Sequence, residues 1–325
     1  MNQTFVNNIF SNPAFDEATS LELFHYQYQY NRVYQQWCTL LNINPATIRD
    51  IQHIPFLPIS LFKTHKVITG NVQPQMSFTS SGTTQTINSH HYIHDINIYK
   101  KSFTKAFSLF YGDVQDWCII GLLPAYLERT NSSLVYMVND LIQQSKHERS
   151  GFYLYDFEKL HATLLQLEGR KQQTLLIGVT FALLDFAAAF PMQLQHTVVM
   201  ETGGMKGRKK ELTRNEVHAI LKQQLGVNAI HSEYGMTELL SQAYAKAAGV
   251  FHCPPWMKVL VRDEEDPLKI SVSGKGILNI IDLANIESCA FIATDDAGIV
   301  HEDGSFEVWG RVDNSDIRGC SLLVV

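Results

Sequence analysis

In residues 16–43 aromatic and polar positions (LELFHYQYQYNRVYQQWCTLL) recur at roughly helical spacing, which predicts a helical N-terminal region. Residues 54–66 contain Pro55 and Pro58 and read as an extended loop. Positions 75–78 predict a short strand that runs into a Ser/Thr/Gly-rich turn, and 95–110 (INIYKKSFTKAFSLF) is amphipathic and helical. A regular alternation follows. Strands are predicted at 117–123, 174–179, 197–200 and 228–231, with helices at 132–144, 157–167, 181–189 and 213–225 between them. The last helix carries its own signals: Thr213 as N-cap with Glu216 three positions later, and Gly226 at the end. This alternation predicts an α/β fold with a largely parallel sheet. After Pro255 the pattern shortens to strands at 258–261, 276–281, 298–301 and 305–309, broken by turns such as Asp303-Gly304. The expected division is an α/β core over 1–255 and a smaller β-rich subdomain over 256–325.

Composition narrows the class. The chain has 325 residues, 45% hydrophobic and 18% charged, the balance of a globular enzyme with a sizeable core. A formal net charge of −6 argues against a nucleic-acid binder, which usually shows a basic excess. There is no apolar run long enough for an integral membrane segment, and the N-terminus lacks the basic and apolar regions of a secretory signal. The five cysteines are scattered, odd in number and without a CxxC pair, so a reduced, cytoplasmic protein is expected.

Four constellations carry candidate chemistry. In Ser77-Phe78-Thr79-Ser80-Ser81-Gly82-Thr83-Thr84, hydroxyls and backbone N–H groups can converge on phosphate oxygens, and Gly82 allows close approach; the spacing and lysine of a P-loop are absent. Alone, this stretch reads equally well as a polar surface loop. Ser232-Glu233-Tyr234-Gly235-Met236-Thr237-Glu238 follows a predicted strand, where binding loops sit in open α/β sheets. Tyr234 offers a ring for a purine, Thr237 a hydroxyl for a phosphate, and Glu238 a hard oxygen ligand for Mg²⁺; an ordinary helix start is the alternative. In Thr294-Asp295-Asp296-Ala297-Gly298, paired acids before a tight turn can accept the two hydroxyls of a ribose, or simply make a β-turn. In Gly310-Arg311-Val312-Asp313, Arg311 can grip ribose or phosphate with its planar fork, or belong to a solvated turn. His252-Cys253 has no second pair at zinc spacing, so a structural loop is expected there. His90, His91 and His94 cluster just after the first constellation, where one of them can line the site.

In order and spacing these motifs, with Glu201-Thr202-Gly203-Gly204 between the first two, resemble the adenylate-forming superfamily of acyl-CoA synthetases, luciferases and peptide-synthetase adenylation domains. The resemblance runs from Ser77 to Gly319. It implies ATP as co-substrate, with the phosphates at Thr79, Ser80, Ser81, Gly82, Thr83 and Thr84. It places Gly203, Gly204, Tyr234, Gly235, Met236, Thr237 and Glu238 around adenine and the reacting phosphate. Asp295 or Asp296, with Arg311, falls on the ribose. Superfamily members usually continue for about 100 more residues, an ordinary domain's worth, bearing a catalytic lysine; this sequence stops six residues after Gly319.

The stretches PFLPISLFK, LLPAYLERTNSSLVYM, YGMTELLSQAY, PPWMKVLVRD and GRVDNSDIRGCSLL are more closely similar to the acyl-protein synthetase family, the fatty-acid-activating component of bacterial luminescence reductases. That resemblance implies a fatty acid substrate, a reductase or carrier partner, and Cys320 as the thiol that takes the acyl group from the adenylate. Arg318 can favour the thiolate. Otherwise Cys320 is a small apolar residue in a terminal strand. Residues 124–137 are the expected acyl pocket. Two alternatives stay open: a coenzyme A ligase that uses a separate C-terminal domain, and a non-catalytic binding subunit of an acyl-transfer complex.

Overall fold

The computed structural model describes residues 3–71, 73–80, 87–123, 131–203 and 212–312. The N-terminal region is helical: α1 (Gln3–Ile9), α2 (Glu17–Tyr30) and α3 (Arg32–Leu40). Asp16 caps α2 by accepting from the Ala18 N–H, and Asn31 separates α2 from α3 by accepting from the Tyr34 N–H. The segment expected to be a plain loop instead holds a two-residue strand β1 (Leu57–Pro58) and one helical turn α4 (Leu61–Thr64). Pro58 is tolerated because β1 lies on the edge of a strand end rather than inside a sheet.

Next come the hairpin β2 (Met76–Thr79) and β3 (His90–Ile93), then α5 (Ile96–Tyr111). α5 buries Ile98, Tyr99, Ser102, Phe103, Ala106 and Phe107, one stripe at a 3.6-residue period. Gly112, at φ +87°, ends it. The alternating region then follows: β4 (Cys118–Leu122), α6 (Ser133–Ser145), β5 (Gly151–Phe152), α7 (Phe157–Gly169), β6 (Thr174–Val179), α8 (Thr180–Ala189), β7 (Thr197–Thr202), α9 (Arg214–Leu225), β8 (His231–Tyr234) and β9 (Ala243–Ala245). These strands form one sheet in the order β5-β4-β6-β7-β8-β9, parallel except for β9. β4 and β6 are buried at every position, as strands covered on both faces must be. α9 carries the expected capping box of Thr213 and Glu216, and Gly226 closes it in the left-handed region. β8 starts and ends three residues later than the sequence predicts. Tyr234 is therefore the last residue of a strand, and no helix follows it.

The remaining strands are β10 (Val250–Phe251), β11 (Met257–Arg262), β12 (Ile270–Ser271), β13 (Gly274–Asp282), β14 (Phe291–Val300) and β15 (Phe306–Arg311). They form a second sheet, β10-β15-β14-β13-β11-β12, in which β1 pairs with β14 in parallel. The turn expected at 294–298 is the middle of β14: Ile292, Thr294 and Asp296 alternate inward, and the strand pairs with β13 on one side and β15 on the other. Paired hydrogen bonds between Tyr244 and His252 stitch the two sheets together. No helix among the described residues is long and apolar enough to cross a membrane.

One buried side chain fastens the N-terminal helices to the second sheet. Gln27 Nε2 donates to the carbonyls of Asn285 (2.8 Å) and Ile286 (3.0 Å), and Oε1 accepts from the Ala290 N–H at 2.9 Å. Asn31 adds a bond to the Ser288 carbonyl at 2.8 Å. Gln27→Leu leaves three buried backbone groups unsatisfied and is expected to cost about 2–4 kcal/mol in chemical denaturation. A loss below about 0.5 kcal/mol, the range of a neutral surface change, would contradict this account.

Candidate active site

The carboxyl ends of β7 and β8 deliver Glu201 to Gly203 and Glu233 to Glu238 to one rim of the parallel sheet, the side on which open α/β sheets bind ligands. The second sheet brings Asp296 and Arg311 to the same place. Tyr234 Oη donates to Asp296 Oδ2 at 2.8 Å, across 62 residues of sequence, and Arg311 Nε meets Asp296 Oδ1 at 3.3 Å. The Asp296 side chain is 9% exposed and that of Arg311 is 68%, so the acid is sunk and the guanidinium presents its remaining donors to solvent. The Tyr234 ring is itself buried, packed edge-on against Phe306 at 5.4 Å and tilted against Phe251 at 5.8 Å. The two aspartates left open by the sequence are now distinguished: Asp296 joins Tyr234 and Arg311, whereas Asp295 points outward and is exposed.

The β2–β3 hairpin reaches the same rim. Ser80 and Ser89 extend its ladder at the loop end: the Ser80 N–H donates to the Ser89 carbonyl (3.1 Å), and the Ser89 N–H to Ser80 Oγ (2.9 Å). The Ser89 side chain lies beside the buried Glu238 carboxyl and favours its charged form. Burial pushes the Glu238 carboxyl up, while Ser89, Arg311 and Lys63 pull it back. Arg311 in turn is held charged by Asp296, Glu238 and Tyr234. From the hairpin, buried His91 donates Nδ1–H to the Thr237 carbonyl at 2.8 Å, and burial lowers its pKa to about 4, so the ring is neutral. His90 and His94 make no such contact; His94 bonds the Gln73 carbonyl instead.

Two residues that sequence reasoning passed over fix the turn after Tyr234. Asn285 Nδ2 donates to the Glu238 carbonyl at 2.7 Å. Asp282, fully buried, accepts from the N–H groups of Leu240 (2.7 Å), Ser241 (3.0 Å) and Ala284 (3.1 Å) and from the Ser241 hydroxyl (2.6 Å). Its pKa is nevertheless pushed up to about 6 by burial. The only hint in the sequence was an Asp and an Asn within the apolar run IIDLANI. Turn residues Gly235, Met236 and Thr237 remain accessible, as do Thr79, Ser80 and Gly203.

Glu201 belongs to a separate knot. It accepts from Thr180 Oγ1 (3.2 Å) and faces Arg214 Nε (3.5 Å) and His218 Nε2 (3.7 Å). Ser232 also meets His218 Nε2, at 3.5 Å. Serine and acid share one ring nitrogen, so this is not the relay of a nucleophilic serine, which uses both. Ser81, Gly82, Thr83, Thr84, Gly204 and Cys320 lie outside the described residues, as does 124–130 of the expected acyl pocket. Among the described residues no three His, Cys, Asp or Glu side chains form a metal cluster.

The comparisons with known proteins agree with one another. A model of the family described as "Acyl-protein synthetase, LuxE" matches residues 11–325. Two curated relatives are long-chain-fatty-acid–luciferin-component ligases. The one from Aliivibrio fischeri is 24% identical over 93% of this chain and 85% of its own length; that from Vibrio harveyi is 23% identical over 92% and 84%. Among solved structures, ATP-bound MatB from Rhodopseudomonas palustris superposes with a TM-score of 0.55 at 16% identity, over 72% of this chain and 47% of that one. A luciferase-like enzyme from the mealworm Zophobas morio gives 0.53 at 15% identity, over 76% and 60%. These two share the fold, and the chain spans about half the length of MatB and 60% of the mealworm enzyme.

One carboxyl at this rim has no hydrogen-bond donor among the described residues. Burial and the charge of Glu201 push Glu233 from 4.5 to about 8. A raised carboxyl pKa gives stability that is complete below about pH 4.5 and is lost as pH rises through about 8. Between pH 6 and pH 9 the wild-type melting temperature is expected to fall more than that of Glu233→Gln. Parallel curves for the two proteins would show that Glu233 does not titrate in this range.

Proposed function

The chain belongs to the LuxE acyl-protein synthetase family, and from that premise we propose that it activates a carboxylic acid with ATP, releases pyrophosphate and transfers the acyl group to a cysteine thiol. The observation that carries this reading is the meeting of Tyr234, Asp296, Arg311 and the Ser89–Glu238 pair at one rim, drawn from segments more than 200 residues apart. A long-chain fatty acid is the favoured substrate class, because the curated relatives are ligases of such acids. A reductase or carrier is the final acceptor, and the reduced cytoplasm is the setting. Residues 1–255 supply the nucleotide- and acid-binding core, and 256–325 the β-rich part that carries Asp296, Arg311 and Cys320.

In this mechanism Asp296 accepts the ribose hydroxyls and Arg311 lends its free donors to ribose or phosphate. Thr79, Ser80 and the following Ser81 to Thr84 cradle the β- and γ-phosphates, with Gly203 and Gly204 beside adenine. Tyr234, Gly235 and Met236 wall the nucleotide. The substrate carboxylate attacks the α-phosphorus, the bond to pyrophosphate breaks, and Thr237 steadies the oxygens on which charge grows. Glu238 suits Mg²⁺: a single sunken carboxylate beside a hydroxyl matches a cation that keeps its waters and the substrate's phosphates, and needs no all-protein cage. The metal supplies charge neutralisation on the phosphate oxygens. The Cys320 thiolate then attacks the acyl carbon, the bond to AMP breaks, and AMP leaves as the thioester forms.

Glu238→Gln is expected to lower acid-dependent pyrophosphate exchange by about 100-fold or more, the usual cost of losing one electrostatic partner of a transition state. Exchange at the wild-type rate would remove Glu238 from the mechanism. With ATP and radiolabelled acid the protein itself should become labelled, and Cys320→Ser should exchange pyrophosphate yet carry no label. Label that survives in Cys320→Ser would assign the thioester elsewhere.

A further inference from the structure

At the ends of β7, β8 and β9 two buried polar atoms lack a hydrogen-bond partner among the described residues, and a buried carboxyl lies with them. Thr202 (3% exposed) has an unbonded Oγ1, Gln242 (3% exposed) an unbonded Oε1, and Glu233 (9% exposed) accepts no hydrogen bond from any described residue. They are neighbours. Thr202 and Glu233 are register partners in adjacent parallel strands, so their side chains leave the sheet on the same face. Glu233 Oε1 and Gln242 Cγ both flank Gly235: a Cβ built there would lie 2.5 Å from the first and 3.5 Å from the second. Five of the donors nearby are committed elsewhere. Arg214, His218 and Thr180 serve Glu201, Tyr99 Oη donates to the Ser133 carbonyl, and Tyr111 Oη bonds His231.

A fold leaves one buried polar atom unpaired now and then, but two close together are costly, at about 1–3 kcal/mol each. Glu233 and Gln242 flank Gly235, the first residue of the turn that presents Thr237 and Glu238. The set offers an amide oxygen, a hydroxyl and a carboxyl. A plain alkyl chain would leave the Thr202 and Gln242 oxygens unpaired, whereas a ligand that brings an O–H or N–H pairs them.

We propose that Thr202, Glu233 and Gln242 form a polar subsite of the acid-binding site and select a carboxylic acid that carries a hydroxyl or amino group close to its carboxyl. This rests on the acid-activation reading above and narrows its substrate. Closeness to the carboxyl follows from Gly235, which Glu233 and Gln242 flank at the start of the turn that presents Thr237 and Glu238: the subsite borders the reacting end of the acid, not its tail. Because Thr202 Oγ1 bonds nothing in the free protein, Thr202→Val removes a liability from the fold while removing a contact from the ligand.

The test uses the full chain and four probes: dodecanoic acid, its 2-hydroxy and 3-hydroxy derivatives, and 2-aminododecanoic acid. Binding is read by calorimetry, and ATP-dependent pyrophosphate release is measured in parallel. At least one substituted acid is expected to exceed dodecanoic acid about tenfold or more in both readouts, as one satisfied buried group implies. That advantage should collapse in Thr202→Val and in Glu233→Gln, while the melting temperature of Thr202→Val stays level or rises. Dodecanoic acid binding as tightly as every substituted acid would overturn the subsite, as would an advantage that survives both variants or an absence of binding by all four. Pyrophosphate release without preference defeats the subsite alone. Preferential binding with no release from any acid defeats the activation reading and leaves the subsite standing.

Discussion

A carboxylate sunk into a protein must find donors or give up its charge, and this molecule is organised around that constraint. Asp296 sits inside a strand, where an acid is otherwise out of place, and is retained by the Tyr234 hydroxyl and the Arg311 guanidinium. Those two bonds tie the last strand residue of the parallel sheet's β8 to β14 and β15 of the second sheet. Asp282 performs the matching task one step further along, gathering the backbone of 240–241 and 284 and the Ser241 hydroxyl. Between the two acids the turn 235–239 has little freedom, and its exposed residues are set in place before any ligand arrives. Such preorganisation is what an electrostatic catalyst needs, since donors and acceptors already aimed cost no rearrangement during the reaction.

The parallel sheet was legible because its strands and helices obey local rules. β4 is an apolar run and β6 one that only Thr174 opens with a polar residue, α5 has an apolar stripe of helical period, and α9 carries its caps in the sequence. The strand at 291–300 was misread because Thr294, Asp295 and Asp296 have the chemistry of a turn; only the distant Tyr234 and Arg311 make a buried Asp acceptable there, and no local window contains them. β8 was displaced for a related reason. Its register is set by β7, through Met200 opposite His231, and not by the apolar residues that precede it. The prolines of 54–66 concealed β1, whose partner β14 lies more than 230 residues away.

The candidate site shows the same division. The four motifs were visible as motifs, and their order carried the resemblance to the family. What tied them together was not visible. His91 stood in a trio of equivalent histidines until burial and the Thr237 carbonyl singled it out. Ser89 and Asn285 act through single contacts with residues far along the chain, and Asp282 gathers the backbone of 240–241 from about 40 residues away, which no spacing rule detects. The choice of Asp296 over its neighbour needed only the alternation of a strand, but the strand had first to be recognised.

The central claim is that these segments jointly enclose one nucleotide. Hydrogen exchange read by mass spectrometry, with and without Mg-ATP, tests it directly. The account predicts that ATP slows exchange together in peptides covering 76–92, 201–204, 234–238, 294–297 and 310–312, with little change in α2, α3 and α7. Protection confined to one of those peptides, or centred on the helices, would contradict it.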